Sequence, residues 1–336
     1  MLLKVTCLQR QRTSSLRDIR YPPSLPSLGY PSPSSQERLK TTNVVLTLLR
    51  YARSIHTAAN LRYSPLRKFG YDALMTYQHL TVEHSDHISV VRFNRPDKAN
   101  ALSHAHLSEI EDVTLSFRDE PDVRAVIFTG NGKHFSSGAD LSDNTQTEPV
   151  PLVQRRRTLR MGERTVEAIL NMDQITIAAW NGAAMGGGAC IATACDFRIG
   201  SKECFLQYPE IDIGLNLMWK SLPLIINLVG PARAKRLVIG GERASSEVLL
   251  DWGVLDELVE HQHLMERARA MAQHYASKPP VAAQMIKASA NQIANALNHA
   301  IMHMDVDQNM LSANTDDRVE ALNAYLNNGQ PTFTGD

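Results

Sequence analysis

An α/β core followed by a helical C-terminal part is the fold class this sequence predicts, and three observations predict it. Strand-like apolar runs alternate with helical runs from Ile88 to Ile199. Val123 to Thr129 is apolar enough to be a strand buried on both faces, as parallel strands are. After Pro209 the pattern becomes largely helical. Strands joined through helices imply right-handed crossovers.

Residues 1–74 stand apart from that pattern. They carry twelve Lys or Arg against three acids, Asp18, Glu37 and Asp72, a net +9. Tyr21 to Ser35 holds five prolines and no charge, so this extension buries little apolar surface and reads as disordered. Its basic, serine-rich, acid-poor composition fits a mitochondrial transit peptide. Val44 to Leu49 followed by Arg50, Arg53, Arg62 and Arg67 then reads as an amphipathic basic helix, although Pro65 would end it. A secretory signal fits less well, because Met1-Leu2-Leu3-Lys4 leads into no apolar core. The stretch equally fits a non-native segment upstream of a start at Met75. The first reading places the protein in the mitochondrial matrix and the second in the cytoplasm.

The body runs from Met75 to Asp336. Ile88 to Phe93 is a strand closed by the turn Asn94-Arg95-Pro96-Asp97. Leu107, Ile110, Val113 and Phe117 recur at helical spacing, predicting a helix over Ser103 to Arg118. The Val123 strand turns at Gly130-Asn131-Gly132 toward Phe135 to Asp140. A long helix follows from Leu152 to Asn171, then a strand at Ile175 to Trp180 and a short one at Asp196 to Ile199. Five helices are expected next: Leu222 to Val229, Ala232 to Ile239, Ser245 to Trp252, Leu264 to Ala276 and Val281 to Leu297. A last one spans Thr315 to Leu326, with Thr315 as N-cap and acids in its first turn. The division is an α/β core over 75–265 and a helical region over 266–336.

Composition excludes several functions. The overall charge is zero, so the body carries −9, with 23 basic and 32 acidic side chains, which argues against a nucleic-acid-binding face. Arg155-Arg156-Arg157 with Arg160 is a local exception, read as a solvated helix face or as neighbours of a phosphate rather than an RNA site. No run approaches the eighteen or so apolar residues of a membrane span. Cys7, Cys190, Cys195 and Cys204 form no CxxC pair and read as thiols of a reducing compartment, not as a zinc site.

Gly186-Gly187-Gly188 is the most informative stretch. The triplet follows the Ile175 strand and precedes a helix-prone run, Ala189 to Ala194. Such a turn exposes backbone N–H groups at a helix N-terminus, where an anion or developing oxyanion is stabilised. Taken alone, it equally describes a tight connection with no chemistry.

Several runs, in order, resemble the crotonase superfamily, the enoyl-CoA hydratase/isomerase family. They are Phe93 to Leu102, Phe135 to Leu141, the glycine triplet with Cys195 to Ile199, Tyr208 to Ile211, Gly230 to Ala234, and Pro331-Thr332-Phe333. The resemblance spans about His79 to Gly335. It implies a spiral of ββα units with a helical C-terminal trimerisation region, assembling as a homotrimer or dimer of trimers. It also implies acyl-CoA substrates, no metal, and no cofactor beyond the coenzyme A of the substrate itself.

Carried over by position, the oxyanion hole falls on the N–H groups of Ala139 and Gly187. The coenzyme A and substrate contacts fall on Lys98, Ala99, Ala101, Asp140, Leu141, Gly186 and Gly187. Family hydratases use two glutamates; here the first position is Cys190 and the second is Glu210. A packed thiol is a poor substitute for a carboxylate. Glu210, among apolar neighbours, is the expected acid and base. One carboxylate suffices for isomerising a 3-enoyl-CoA to a 2-enoyl-CoA. Hydration of 2-enoyl-CoA, in fatty-acid or amino-acid degradation, needs another acid, such as Asp143 or Glu163. A weakly catalytic acyl-CoA-binding scaffold is the third reading. Leu217-Met218-Trp219-Lys220 stands where the family carries a glycine-rich segment, putting bulk at the acyl pocket.

Overall fold

Six strands form the main sheet of this computed structural model, which describes residues 77–144 and 150–336. The expectations for residues 1–74 therefore lie outside the described residues, whereas Met75–Asp336 is a compact unit of its own. In chain order the strands and helices of its first half are β1 (Leu80–Ser85), β2 (Ile88–Phe93), α1 (His104–Ser116), β3 (Ala125–Gly130), α2 (Leu152–Leu159), α3 (Met161–Leu170), β4 (Ile175–Trp180), β5 (Ala183–Met185) and α4 (Gly187–Ala194). Then come β6 (Phe197–Ser201), β7 (Phe205–Gln207), α5 (Ser221–Val238), β8 (Ala244–Ser245), α6 (Ser246–Asp251), β9 (Glu257–Val259) and α7 (Leu264–Ala276). Finally α8 (Pro280–Ala294), α9 (His299–Met302), α10 (Asp305–Ser312) and α11 (Asp316–Asn327) complete the chain.

The main sheet has the order β1-β2-β3-β4-β6-β9, and a smaller one the order β5-β7-β8. Only the β1–β2 pair of the main sheet is antiparallel. Residues 181–182 carry the chain from β4 in the large sheet to β5 in the small one, and α4 follows. β6, β7 and α5 repeat the step. Each turn thus adds a strand to both sheets and then a helix, which is the expected ββα spiral. Asn181 fixes one crossover: its amide donates to the carbonyls of Gly130 and Gly132, and its Oδ1 accepts the Gly130 N–H.

Central strand β3 is buried at every residue, as its unbroken apolar run requires. One face of the sheet packs against α1, α3 and α4 through Val91, Phe93, Val126, Phe128 and Ala178. The other packs against α7, whose Leu264, Ala268, Met271, Ala272 and Ala276 meet Ile88, Val90, Ile127 and Ile177. The 265/266 division therefore falls inside a helix that covers the sheet.

Most expected elements stand where periodicity puts them. The long helix expected over Leu152 to Asn171 is instead two, broken at Arg160, which sits at φ −77°, ψ 0°. The reason is burial. α2 buries no side chain, whereas α3 buries Val166, Ala168 and Ile169 against the core, so the helix follows the core only from Met161 onward. Conversely, α5 continues across both expected helices but is interrupted at Gly230, φ 77°, ψ 164°, just before Pro231. Strands β5, β7, β8 and β9 have three residues or fewer, too few for a period-2 signal.

The sole buried residue of α8 is Lys287. Its ammonium reaches Asp196 Oδ2 at 2.7 Å and donates to the Gln174 carbonyl at 2.6 Å. Asp196 also accepts from the N–H and hydroxyl of Thr176 at the start of β4. Replacing Lys287 with Met strands a partly buried carboxylate, so a loss on the order of 3 kcal/mol is expected. Asp196→Asn in the same chain should recover part of it, measured by urea denaturation in a double-mutant cycle. Additive losses would show that the two side chains do not act as a pair.

Candidate active site

Two backbone segments meet at the glycine triplet. Ser136 pairs with Ala184 and Leu102 with Ala139, extending the small sheet by isolated bridges. The Ser136 N–H donates to the Ala183 carbonyl and the Met185 N–H to the Ser136 carbonyl, both at 3.0 Å. Gly138 sits at φ +88°, and a Cβ there would lie 2.7 Å from the Met185 carbonyl and 3.4 Å from the Gly187 nitrogen. Only glycine permits that approach. It brings Ala139 and Gly187, expected as the oxyanion donors, onto adjoining strands of chain. Neither N–H donates to a protein acceptor among the described residues. Gly187 is the first residue of α4, so its N–H also carries the positive end of the helix dipole.

Glu210 completes the group. It follows β7 and Pro209, and a Cβ on Gly186 (φ +46°) would lie 2.7 Å from its Oε1. The carboxyl group thus packs directly on the residue preceding Gly187. Oε2 is sealed from solvent and has no hydrogen-bond partner among the described residues. Burial raises the carboxyl from 4.5 to about 7; its own backbone N–H opposes the shift and the charge of Asp212 adds to it. A carboxyl titrating there is divided between acid and base near neutral pH.

The expected substrate-contact loop lies on the other side of Ala139. The Ser137 N–H donates to the Ala99 carbonyl, the Leu102 N–H to the Gly138 carbonyl and the Asp140 N–H to the Leu102 carbonyl. Ala99 and Asn100 adopt left-handed φ of 49° and 56°. Asn100 holds this bend, its amide donating to the carbonyls of Asn131 and His134. Ala101 is buried, Lys98 is exposed, and Leu141 is exposed at the rim. Asp140 is committed within the protein: Arg95 Nη2 donates to its Oδ2 at 2.8 Å and Ser142 to its Oδ1. Burial raises the Asp140 carboxyl, but the Ser142 and Arg95 bonds outweigh it and hold it at about 2. Lys98 Nζ lies 3.3 Å from the Ser142 hydroxyl and 3.9 Å from Asp140. Arg95 is the partner that sequence reasoning missed; it lies within the quoted Phe93–Leu102 run, but no local spacing links it to residue 140.

A family model described as enoyl-CoA hydratase/isomerase matches residues 83–336. The chain belongs to the enoyl-CoA hydratase/isomerase family. A crotonyl-CoA hydratase of Syntrophomonas wolfei is 29% identical over 260 residues, covering 77% of this chain and 99% of that protein. A carnitinyl-CoA dehydratase of Escherichia coli is 34% identical over 210 residues, 62% of this chain and 78% of its own length. Among solved structures, an enoyl-CoA hydratase from Mycobacterium avium subsp. paratuberculosis superimposes with a TM-score of 0.68 at 26% identity, covering 76% of this chain and 98% of that one.

Cys190, where the resemblance puts the first family glutamate, is 1% exposed on α4. Burial raises its thiol well above 9, and the neighbouring charge of Glu210 adds to the effect. The other acids considered from sequence are engaged elsewhere. Asp143 accepts from the backbone N–H of His104 and pairs with its ring. Glu163 is buried in ion pairs with Lys220 Nζ at 2.7 Å and Arg160 at 3.1 Å. Of the four arginines around α2, Arg156 pairs with Asp307 and Arg160 with Glu163.

The raised Glu210 carboxyl has a consequence for stability. In the unfolded chain it titrates near 4.5 and in the folded chain near 7. Below 4.5 both forms are protonated and burial carries no charge penalty; the penalty grows between 4.5 and 7 and is complete above. Glu210→Gln should therefore raise the unfolding free energy by up to about 3 kcal/mol at pH 8 and change it little at pH 4.5. Urea denaturation at the two pH values checks this; equal stability of variant and wild type at pH 8 would refute the buried charge.

Proposed function

We propose that the protein isomerises 3-enoyl-CoA thioesters to 2-enoyl-CoA with Glu210 as the sole proton shuttle. The observation that carries this reading is the Glu210 carboxyl packed on Gly186, beside the free N–H of Gly187. In the reaction, the Glu210 carboxylate takes a proton from C2 of the 3-enoyl thioester. The electron pair spreads into a dienolate whose oxygen accepts from the N–H groups of Ala139 and Gly187. Protonated Glu210 then delivers the same proton to C4, leaving the double bond between C2 and C3. Two fixed donors stabilise the dienolate oxygen; removal of one such donor costs about 10²–10³ in rate in other enzymes.

Hydration of 2-enoyl-CoA is the second reading, favoured by the hydratase names of similar proteins. Water addition then has to proceed with Glu210 and a non-carboxylate partner, since Cys190 holds its proton. Supplying the full chain with 3-hexenoyl-CoA and, separately, with crotonyl-CoA discriminates the two. The isomerase reading expects 2-hexenoyl-CoA from the first and no 3-hydroxybutyryl-CoA from the second; net hydration without isomerisation would replace it with the hydratase. Glu210→Gln is expected to lower isomerisation by about 10²–10⁴-fold. Because the base form acts on free substrate, kcat/KM should rise about tenfold per pH unit below about 7 and level off above it. A profile flat from pH 5 to 8 would remove Glu210 from the proton transfer.

The homotrimer, or dimer of trimers, belongs to the same proposal. Val281, Met285, Ile286 and Ile293 of α8 are each at least 66% exposed, an apolar face that a neighbouring subunit would cover. Ile286→Glu with Ile293→Glu should lower the molecular mass measured by light scattering from a multiple of three subunits to one. An unchanged mass would place the contact on another face.

A further inference from the structure

We infer that Trp219 closes the acyl end of the site and restricts the protein to short acyl chains. The inference rests on the acyl-CoA reading above and names its substrate class.

The contacts run in one order through the site. Leu102 pairs with Ala139, Gly138 packs on Met185 and Gly187, and Gly187 abuts Trp219. A Cβ on Gly187 would lie 2.2 Å from Trp219 Cζ3 and 2.4 Å from Cη2, the tip of the six-membered ring. At the fusion bond of its two rings the indole meets α3: a Cβ on Gly162 would lie 1.9 Å from Cε2 and 2.2 Å from Cδ2. The ring therefore spans the gap between two helices, seated on a bare Cα at each side. Trp219 is 6% exposed, so the gap is closed to solvent.

A thioester whose carbonyl oxygen accepts from Gly187 has its acyl carbons beside Glu210. With the coenzyme A end toward Lys98 to Leu102, the chain must run toward the side that the indole fills. A few carbons fit before the ring; a longer chain has to displace it.

Displacement is resisted by the backbone that carries the ring. Trp219 and Lys220 both hold left-handed φ, 63° and 57°, a conformation that non-glycine residues keep only where their surroundings enforce it. Four polar contacts hold that conformation. The Lys220 ammonium pairs with Glu163 and Glu167, the Lys220 N–H donates to Asp305 Oδ2 at 2.6 Å, and the Ser221 hydroxyl donates to the Trp219 carbonyl. Two helices on the core and one from the C-terminal region thus fix one aromatic side chain. It acts as a wall and not as a gate.

The test reads chain length separately from turnover. Calorimetric affinities for butyryl-CoA and decanoyl-CoA are compared in the full wild-type chain, Trp219→Ala and Trp219→Phe. A buried methylene is worth about fourfold in affinity, so opening the pocket should raise the decanoyl/butyryl affinity ratio at least tenfold in Trp219→Ala. Trp219→Phe, which keeps a shorter aromatic wall, should fall between; it decides the matter alone if Trp219→Ala does not fold. A merely structural tryptophan would weaken both ligands equally and leave the ratio unchanged. A folded variant with an unchanged ratio, or a wild type that binds decanoyl-CoA as tightly as butyryl-CoA, overturns the inference. Absence of isomerase and hydratase turnover in a wild type that discriminates chain length would strike the proposed reaction and leave the wall in place.

Discussion

Close approach of two backbone segments is the constraint on which the rest of this molecule depends. Residues 136–139 and 184–187 must lie near enough for a Cβ on Gly138 to be 2.7 Å from a facing carbonyl. That distance allows no side chain and demands left-handed φ at Gly138. The two sheets, joined at Asn181 and at the crossover from β6 to β7, deliver those segments to one place. The backbone N–H groups of Ala139 and Gly187, neither donating to a protein acceptor among the described residues, are thereby held on adjoining segments.

Glu210 shows the opposite economy. Its carboxyl is held where solvation is poor, with one oxygen unpartnered among the described residues. The same absence of partners places its titration where a proton shuttle works best. Cys190 and Glu210 are electrostatic neighbours, the charge of Glu210 adding to the burial that raises the thiol. Around Glu210 the charges are paired. Arg95 with Asp140 braces the loop over Lys98 to Leu102, while Lys220 with Glu163 and Glu167 braces the turn that carries Trp219.

Trp219 links that bracing to the shape of the site. Glycines at 162 and 187 are required because the indole occupies the space their side chains would take. Three positions far apart in sequence are therefore interdependent, and a change at any one alters the room beside Gly187. The C-terminal region takes part through Asp305, whose carboxyl is raised to about 6, chiefly by burial, with the Lys220 N–H opposing. It is consequently part of the site's support and not only a candidate interface.

The main strands, most helices and the glycine-containing turns are legible in the sequence alone. Those signals are local: apolar periodicity at Ile88 to Phe93 and Leu107 to Phe117, an N-cap at Thr315, and a glycine triplet between strand and helix. Ordered together, they also carried the resemblance that the family match upholds. Tertiary structure alone decided which groups meet. The break at Arg160 depends on where the core begins, and four short strands have too few residues to show a period. The Arg95–Asp140 pair, the Lys287–Asp196 anchor and the seating of Trp219 between two glycines each join residues 32 to 91 positions apart, a separation that no local pattern encodes. Glu210 was legible as a residue, but the sealing of its Oε2, and with it the raised titration, comes from packing that only the folded chain creates.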